Sequence, residues 1–179
     1  LQIRETANPT LDDIDYEVKV FDNPNQLRQA IEDKNRLANK ARIVAGYCWD
    51  WVSKREYEAF DFDFPEENFQ RKWNLSEDGG LWIMKPDSID QIGCIHTCQG
   101  LECDYIGVII GPDLRINFDG SVTTHPEKRS KNDYSIRGWK SRMRENPEQT
   151  KAQLDAIIKN TYRTLMTRGM KGCYVYFVP

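Results

Sequence analysis

Long apolar runs are missing from this chain. No stretch approaches the roughly 20 consecutive apolar residues that span a bilayer, and the first residues lack the pattern of a secretory leader. No membrane partner is therefore expected. Cysteine is sparse and odd in number, five in all, and four of the five sit in or beside apolar runs. An odd count argues against a disulfide framework and favours reduced thiols in a cytoplasmic protein. Cys94, His96, Cys98 and Cys103 follow no common zinc spacing, so no metal ligands are assigned. Strong net charge is also lacking. At −3 the formal charge gives no general signal for nucleic acid. Internal repeats are absent.

What is present suits a globular domain. The 179 residues can bury a core within one domain, and 39% hydrophobic with 30% charged residues predicts a soluble chain with a well-charged surface. Leucine at the first position suggests a piece of something longer. Charge is uneven along the chain. Residues 126–144 carry seven bases against Glu127 and Asp133, whereas residues 56–67 carry six acids and no base. The basic stretch could follow phosphates, with Arg142 and Arg144 as candidate nucleic-acid contacts. A solvated loop is the plainer reading.

The patterning predicts alternating strands and helices. Residues 1–15 read as a linker or arm, and Tyr16–Phe21 alternates like a strand. Asn23-Pro24 then starts a helix running to about Leu37. Arg42–Cys48 is a compact apolar run suited to a buried strand. Residues 49–82 read mostly as loop, with short strands near Trp73 and over Leu81–Met84. Gln91–Ile95 and Tyr105–Ile110 are strands, and Asp119-Gly120 signals a hairpin. Asn146-Pro147-Glu148-Gln149 has the order of a capping box ahead of a long amphipathic helix. Cys173–Val178 closes the chain as a strand. The fold class is α/β, with a mainly parallel sheet covered by helices on both faces. Residues 49–82 and 114–146 look like insertions into a domain spanning 16–179.

Two segments carry chemistry. Ile95–Asp104 lies between strands, and in open α/β sheets such loops bind ligands at the carboxyl ends of strands. Gly100 permits a tight turn, while His96, Thr97, Gln99 and Glu102 offer polar contacts. Asn160–Gly172 ends a helix with Arg163, Arg168 and Lys171. Those cations also suit the helix dipole without any ligand.

In this order the segments resemble motifs V and VI of superfamily I helicases. His96-Thr97-Cys98-Gln99-Gly100-Leu101-Glu102 is similar to the motif V run, and Leu165-Met166-Thr167-Arg168-Gly169 to motif VI. With Ala45-Gly46-Tyr47-Cys48-Trp49 and Asn160–Gly169, the likeness is closest to the bacterial Schlafen group 3-like DNA/RNA helicase domain family, over about Arg42 to Val178. The resemblance implies a RecA-like P-loop NTPase-type domain, the second helicase lobe. It implies Arg168 as the arginine finger and Glu102 as a ribose contact. Gln99 and Gly100 would face the nucleotide, with Arg163 as a second phosphate contact, and His96 and Thr97 would face nucleic acid. ATP and Mg²⁺ would be the cofactors. Partners would be an N-terminal P-loop lobe of the same protein and single-stranded DNA or RNA.

None of the eleven glycines is followed by lysine, so this chain carries no phosphate-cradling P-loop. The expectation is half of an ATP site, with no turnover by the fragment alone. A non-catalytic RecA-like binding module is the alternative. A nuclease built on the acids of 56–67 is a remote third.

Overall fold

The computed structural model describes residues 15–74, 79–98, 100 and 102–179. The expected arm over 1–15 therefore falls almost wholly outside the described residues, as does Gln99. In chain order the elements are β1 (Glu17–Phe21), α1 (Pro24–Ala38), β2 (Ala41–Ala45), β3 (Phe62–Phe64), β4 (Phe69–Trp73), β5 (Gln91–Gly93) and β6 (Cys103–Ile110). There follow β7 (Leu114–Ile116), β8 (Val122–Thr124), α2 (Trp139–Glu145), α3 (Pro147–Met166) and β9 (Gly169–Phe177). Seven strands form one sheet in the order β1-β9-β6-β2-β5-β4-β3. All neighbours are parallel except the antiparallel β3–β4 pair at one edge.

The period-2 alternation of the central strands sorts side chains onto two faces. Ala41, Ile43 and Ala45 of β2 share a cluster with Ile109, Tyr174, Tyr176 and the α1 residues Leu27 and Ile31. Val44, Ile106, Val108 and Val175 join Ile158, Tyr162 and Leu165 of α3 in a second cluster. One helix thus covers each face, as an α/β sheet buried on both sides requires. Each fully buried Leu or Ile side chain contributes about 1.5–3 kcal/mol. Gly107 on β6 lets α1 approach closely, because a Cβ there would sit 2.8 Å from Ile31.

Local signals set the helix ends. The Asn23 carboxamide oxygen accepts from the Asn25 N–H at 2.8 Å, and Pro24 occupies the first turn. Asn39 closes α1 in the left-handed region, at φ 51. Asn146 behaves differently from the capping box expected of it. It ends α2 by donating its N–H to the Arg142 carbonyl at 2.8 Å, and its side-chain amide donates to Gln149. The junction with α2 fixes its backbone, so its side chain makes no cap hydrogen bond to α3.

Residues 49–82 contribute more order than loop. Phe62, Phe69 and Trp73 are buried, with ring centroids 4.5 Å apart for Phe62–Trp73 and 4.7 Å for Trp49–Phe62. β3 and β4 thereby extend the main sheet. The Asp61 carboxylate is enclosed and accepts from the Ser53 N–H and hydroxyl and from the Trp73 N–H. Among the described residues, no three His, Cys, Asp or Glu side chains gather as metal ligands. Gly79–Met84 winds as a 3₁₀ helix where a strand over Leu81–Met84 was expected. The turn buries Trp82 against Gly93 and Val44, whereas a strand would have alternated Trp82 and Ile83 across two faces.

A buried arginine fastens these parts together. Arg42 is fully enclosed in β2, and its guanidinium contacts six oxygens: Ser88 Oγ, Asn35 Oδ1, Asn39 Oδ1 and the carbonyls of Ala41, Ile83 and Lys85. It joins the end of α1 to the 83–88 segment beneath β2.

At the β1 edge, Glu17 pairs with Lys19 at 2.5 Å and Lys34 at 2.8 Å. Hydrogen bonds from Lys19 and then Lys34 pull its carboxyl down to about 2. The folded pKa lies below the unfolded one, so this contribution is complete above the ordinary carboxylate range and is lost as pH falls toward 2. Urea melts of wild type and Glu17→Gln should show a stability gap at pH 6 that shrinks steadily as pH falls toward 2. A constant gap would show that the ionised carboxylate contributes nothing.

Candidate functional site at two edges of the sheet

β5 and β6 run parallel on either side of β2, so the chain between them must travel from the carboxyl edge of the sheet back to its amino edge. The whole 95–104 loop was expected at the carboxyl ends of the strands. Only its first half lies there. Its two halves face different edges because a parallel crossover has to span the height of the sheet.

At the amino edge the two motif segments meet. Cys103 of β6 pairs with Gly169 of β9, so Glu102 and Arg168 immediately precede partnered residues on adjacent strands. The Cys103 N–H donates to the Arg168 carbonyl at 2.9 Å. Arg168 is half-buried, its Nε donates to the Thr164 carbonyl at 3.1 Å, and its charge is felt by Cys98 and Cys103. Burial drives the Cys98 thiol well above its ordinary value. Glu102 is exposed. Gly100 adopts φ +79, and a Cβ there would meet no atom within 4 Å. Backbone conformation, not crowding, is what favours glycine at this position. Arg163 is exposed in the last turn of α3, and Lys171 pairs with Asp104 at 2.9 Å. The backbone register thus brings Glu102 and Arg168 to neighbouring positions at one strand edge.

At the carboxyl edge, Thr97 is anchored and His96 is exposed. The Thr97 hydroxyl donates to Asn74 Oδ1 at 2.9 Å, and the same oxygen accepts from the Cys94 N–H at 3.3 Å. Asn74 follows β4 and is buried, a positioning residue that sequence reasoning missed because it lies in the stretch read as loop. His96 borders a cleft of about 480 Å³ together with Tyr47, Trp51, Lys54, Arg55 and Tyr134.

The basic stretch is divided by the fold. Arg142 and Arg144 are exposed on α2, with the Arg142 guanidinium donating to the Arg137 carbonyl at 2.9 Å. Arg129 is buried, 2.8 Å from Asp133 and 3.5 Å from Asp113. A solvated-loop reading thus fails for Arg129. Asp113 also accepts from the Tyr162 hydroxyl at 2.5 Å, and that hydroxyl accepts from the Gly111 N–H at 2.9 Å. Burial, then nearby Cys48 and Asp113, drive the Tyr162 phenol far up. Tyr162→Phe would leave the buried Asp113 carboxylate and the Gly111 N–H without this partner, at a cost of about 2–3 kcal/mol. Thermal denaturation checks this, and an unshifted midpoint would remove the tyrosine from the network.

The family described as Schlafen group 3, DNA/RNA helicase domain matches residues 1–179. An uncharacterised protein of the yeast Saccharomyces cerevisiae is 27% identical over 169 residues, covering 90% of this chain. The resemblance was expected to a bacterial family, whereas this relative is a yeast protein. The chain spans 34% of the yeast protein's length. No solved structure matches. The match spans both segments, and the chain belongs to the Schlafen group 3, DNA/RNA helicase domain family.

Proposed function

We propose that this chain is the second RecA-like lobe of an ATP-dependent helicase or translocase that moves on single-stranded DNA or RNA. The reading is supported chiefly by the placement of Glu102 and Arg168 ahead of a register pair on adjacent strands. Two segments distant in sequence, each resembling a nucleotide-facing motif, thereby share one strand edge. In the proposal Arg168 is the arginine finger and meets charge developing on the γ-phosphate. Glu102 accepts from the ribose, Gln99 and Gly100 line the nucleotide side, and Arg163 is a second phosphate contact. Mg²⁺ and the phosphate cradle come from an N-terminal P-loop lobe of the same protein, where the metal neutralises phosphate charge. His96 and Thr97 face the nucleic acid from the opposite edge, with Arg142 and Arg144 as outlying contacts.

No helix among the described residues is long and apolar enough to cross a membrane. The thiols Cys48, Cys94, Cys98, Cys103 and Cys173 are free, and we place the protein in the cytoplasm on that chemistry. The test is ATP turnover by the full-length protein, with and without single strands, for wild type and Arg168→Ala. Strand-stimulated turnover that depends on Arg168 supports the assignment. An inactive wild type that binds single strands would make the chain a non-catalytic binding module instead.

A further inference from the structure

The cleft beside His96 adjoins two further depressions whose walls come from the 126–140 segment. The second, of about 200 Å³, shares Asn132, Asp133 and Tyr134 with the first. The third, of about 320 Å³, shares Lys131, Asp133 and Arg137 with the second and adds Trp139 and Lys140. Tyr47 and Trp51 line the first depression, Tyr134 is shared by the first and second, and Trp139 lines the third. Trp51, Tyr134 and Trp139 each have a cation beside the ring. Lys54 Nζ lies 3.6 Å from the Trp51 centroid, the Arg137 guanidinium 5.4 Å from Tyr134, and Lys140 Nζ 5.8 Å from Trp139.

The charge balance favours an anionic ligand once internal partners are counted. Asp133 is engaged by Arg129 and by the Ser135 N–H and hydroxyl. Asp50 is engaged by the Ser130 hydroxyl and the Asn132 amide. Among the charged lining residues outside the Arg129–Asp133 pair, Asp50, Glu56 and Glu127 then face Lys54, Arg55, Lys131, Arg137 and Lys140, an excess of two cations. Tyr134 projects most, with 77% of its surface exposed. A ring so exposed on a segment whose backbone is pinned to the core (Ser130 N–H to the Tyr47 carbonyl, 3.0 Å) is a platform at fixed height.

We propose that the three depressions form a track for single-stranded nucleic acid, with bases laid on Trp51, Tyr134 and Trp139 and phosphates on the interleaved cations. Alternating rings and cations match a strand, in which every base has a stacking face and every phosphate a charge, and a duplex would hide the base faces. The track rests on the nucleic-acid part of the proposed function, not on its ATPase part. It lies mainly outside the segments that resemble helicase motifs.

The test is fluorescence anisotropy of labelled oligo(dT) and oligo(U) with the full-length protein. Tyr134→Ala is expected to weaken binding about 5- to 150-fold, the range for loss of one base–aromatic stack, while Tyr134→Trp keeps wild-type affinity. The double variant Lys131→Ala, Arg137→Ala should flatten the log–log salt dependence by about 1.4, the loss of two phosphate contacts on a single strand. Affinity within twofold of wild type for Tyr134→Ala would overturn the track, as would equal losses on duplex. If the protein hydrolyses no ATP yet Tyr134→Ala still loses single strands, the track stands and the helicase reading falls. If strand-stimulated turnover is intact and indifferent to Tyr134→Ala, the track falls alone.

Discussion

Replacing Arg168 by alanine in the full-length protein should lower ATP turnover roughly a thousandfold or more while leaving nucleotide affinity near normal. That factor corresponds to about 4 kcal/mol of transition-state stabilisation. The reason lies in what the guanidinium would meet in the proposed role of arginine finger. Charge on the γ-phosphoryl group grows at the transition state, so a donor fork aimed there acts on the barrier more than on binding. Arg168 lies in the turn between α3 and β9, its backbone carbonyl is tied to Cys103, and its Nε is tied to Thr164. The side chain therefore starts from a defined place at the amino edge. Arg168→Lys should rescue little, because an ammonium lacks the planar fork. Steady-state turnover and nucleotide titration on the same preparations decide the matter, with thermal midpoints as the folding control. Turnover unchanged in Arg168→Ala would sink the finger assignment outright.

The second large effect is on stability. Arg42→Met should cost about 3–5 kcal/mol, because the donors that satisfy Ser88, Asn35, Asn39 and three carbonyls vanish together from an enclosed site. For a chain of this size that is about 6–20 °C in Tm. Burial lowers the basicity of Arg42, but from so high a value that the side chain stays charged. The cost of burying that charge is met by oxygens all round it. Arg42→Lys should fall between the two, since three ammonium protons cannot reach six acceptors. A loss below about 1 kcal/mol in Arg42→Met would mean that water or rearrangement replaces the guanidinium.

The two experiments separate catalysis from architecture. Arg168 is half-buried at a strand end, so its loss should leave the thermal midpoint nearly unmoved. Arg42 lies deep on β2, and its loss should lower the midpoint sharply. If Arg42→Met also abolishes turnover at temperatures where it remains folded, β2 and the 83–88 segment are holding the site as well as the fold.

Much of the secondary structure was written in local signals. The Asn23-Pro24 start of α1, the apolar face of α3 from Leu154 to Met166, and the alternation of β6 each depend on neighbours within a few residues. Such patterns are legible because capping, periodicity and strand alternation are short-range. The motif residues His96, Thr97, Glu102 and Arg168 were legible for the same reason, as runs of adjacent residue types. Residues 49–74 were not. Phe60-Asp61-Phe62-Asp63-Phe64 has a strand's alternation, yet its acids and the nearby Pro65 read as loop until Ser53 and Trp73 are seen to satisfy Asp61.

By itself, then, the sequence determined the α/β alternation, the order of the two motif segments and the residues to examine in them. Tertiary structure decided how they are shared out in space. It carried the 95–104 loop across the sheet, so that His96 and Thr97 stand at one edge while Glu102 joins Arg168 at the other. It drew Arg129 out of the basic stretch into a buried cluster with Asp113 and Asp133, and left Tyr134 exposed above it. The physical reason is the same in each case. Strand pairing and burial are settled between residues far apart in the chain, and a charge or a loop takes its meaning from what packs against it.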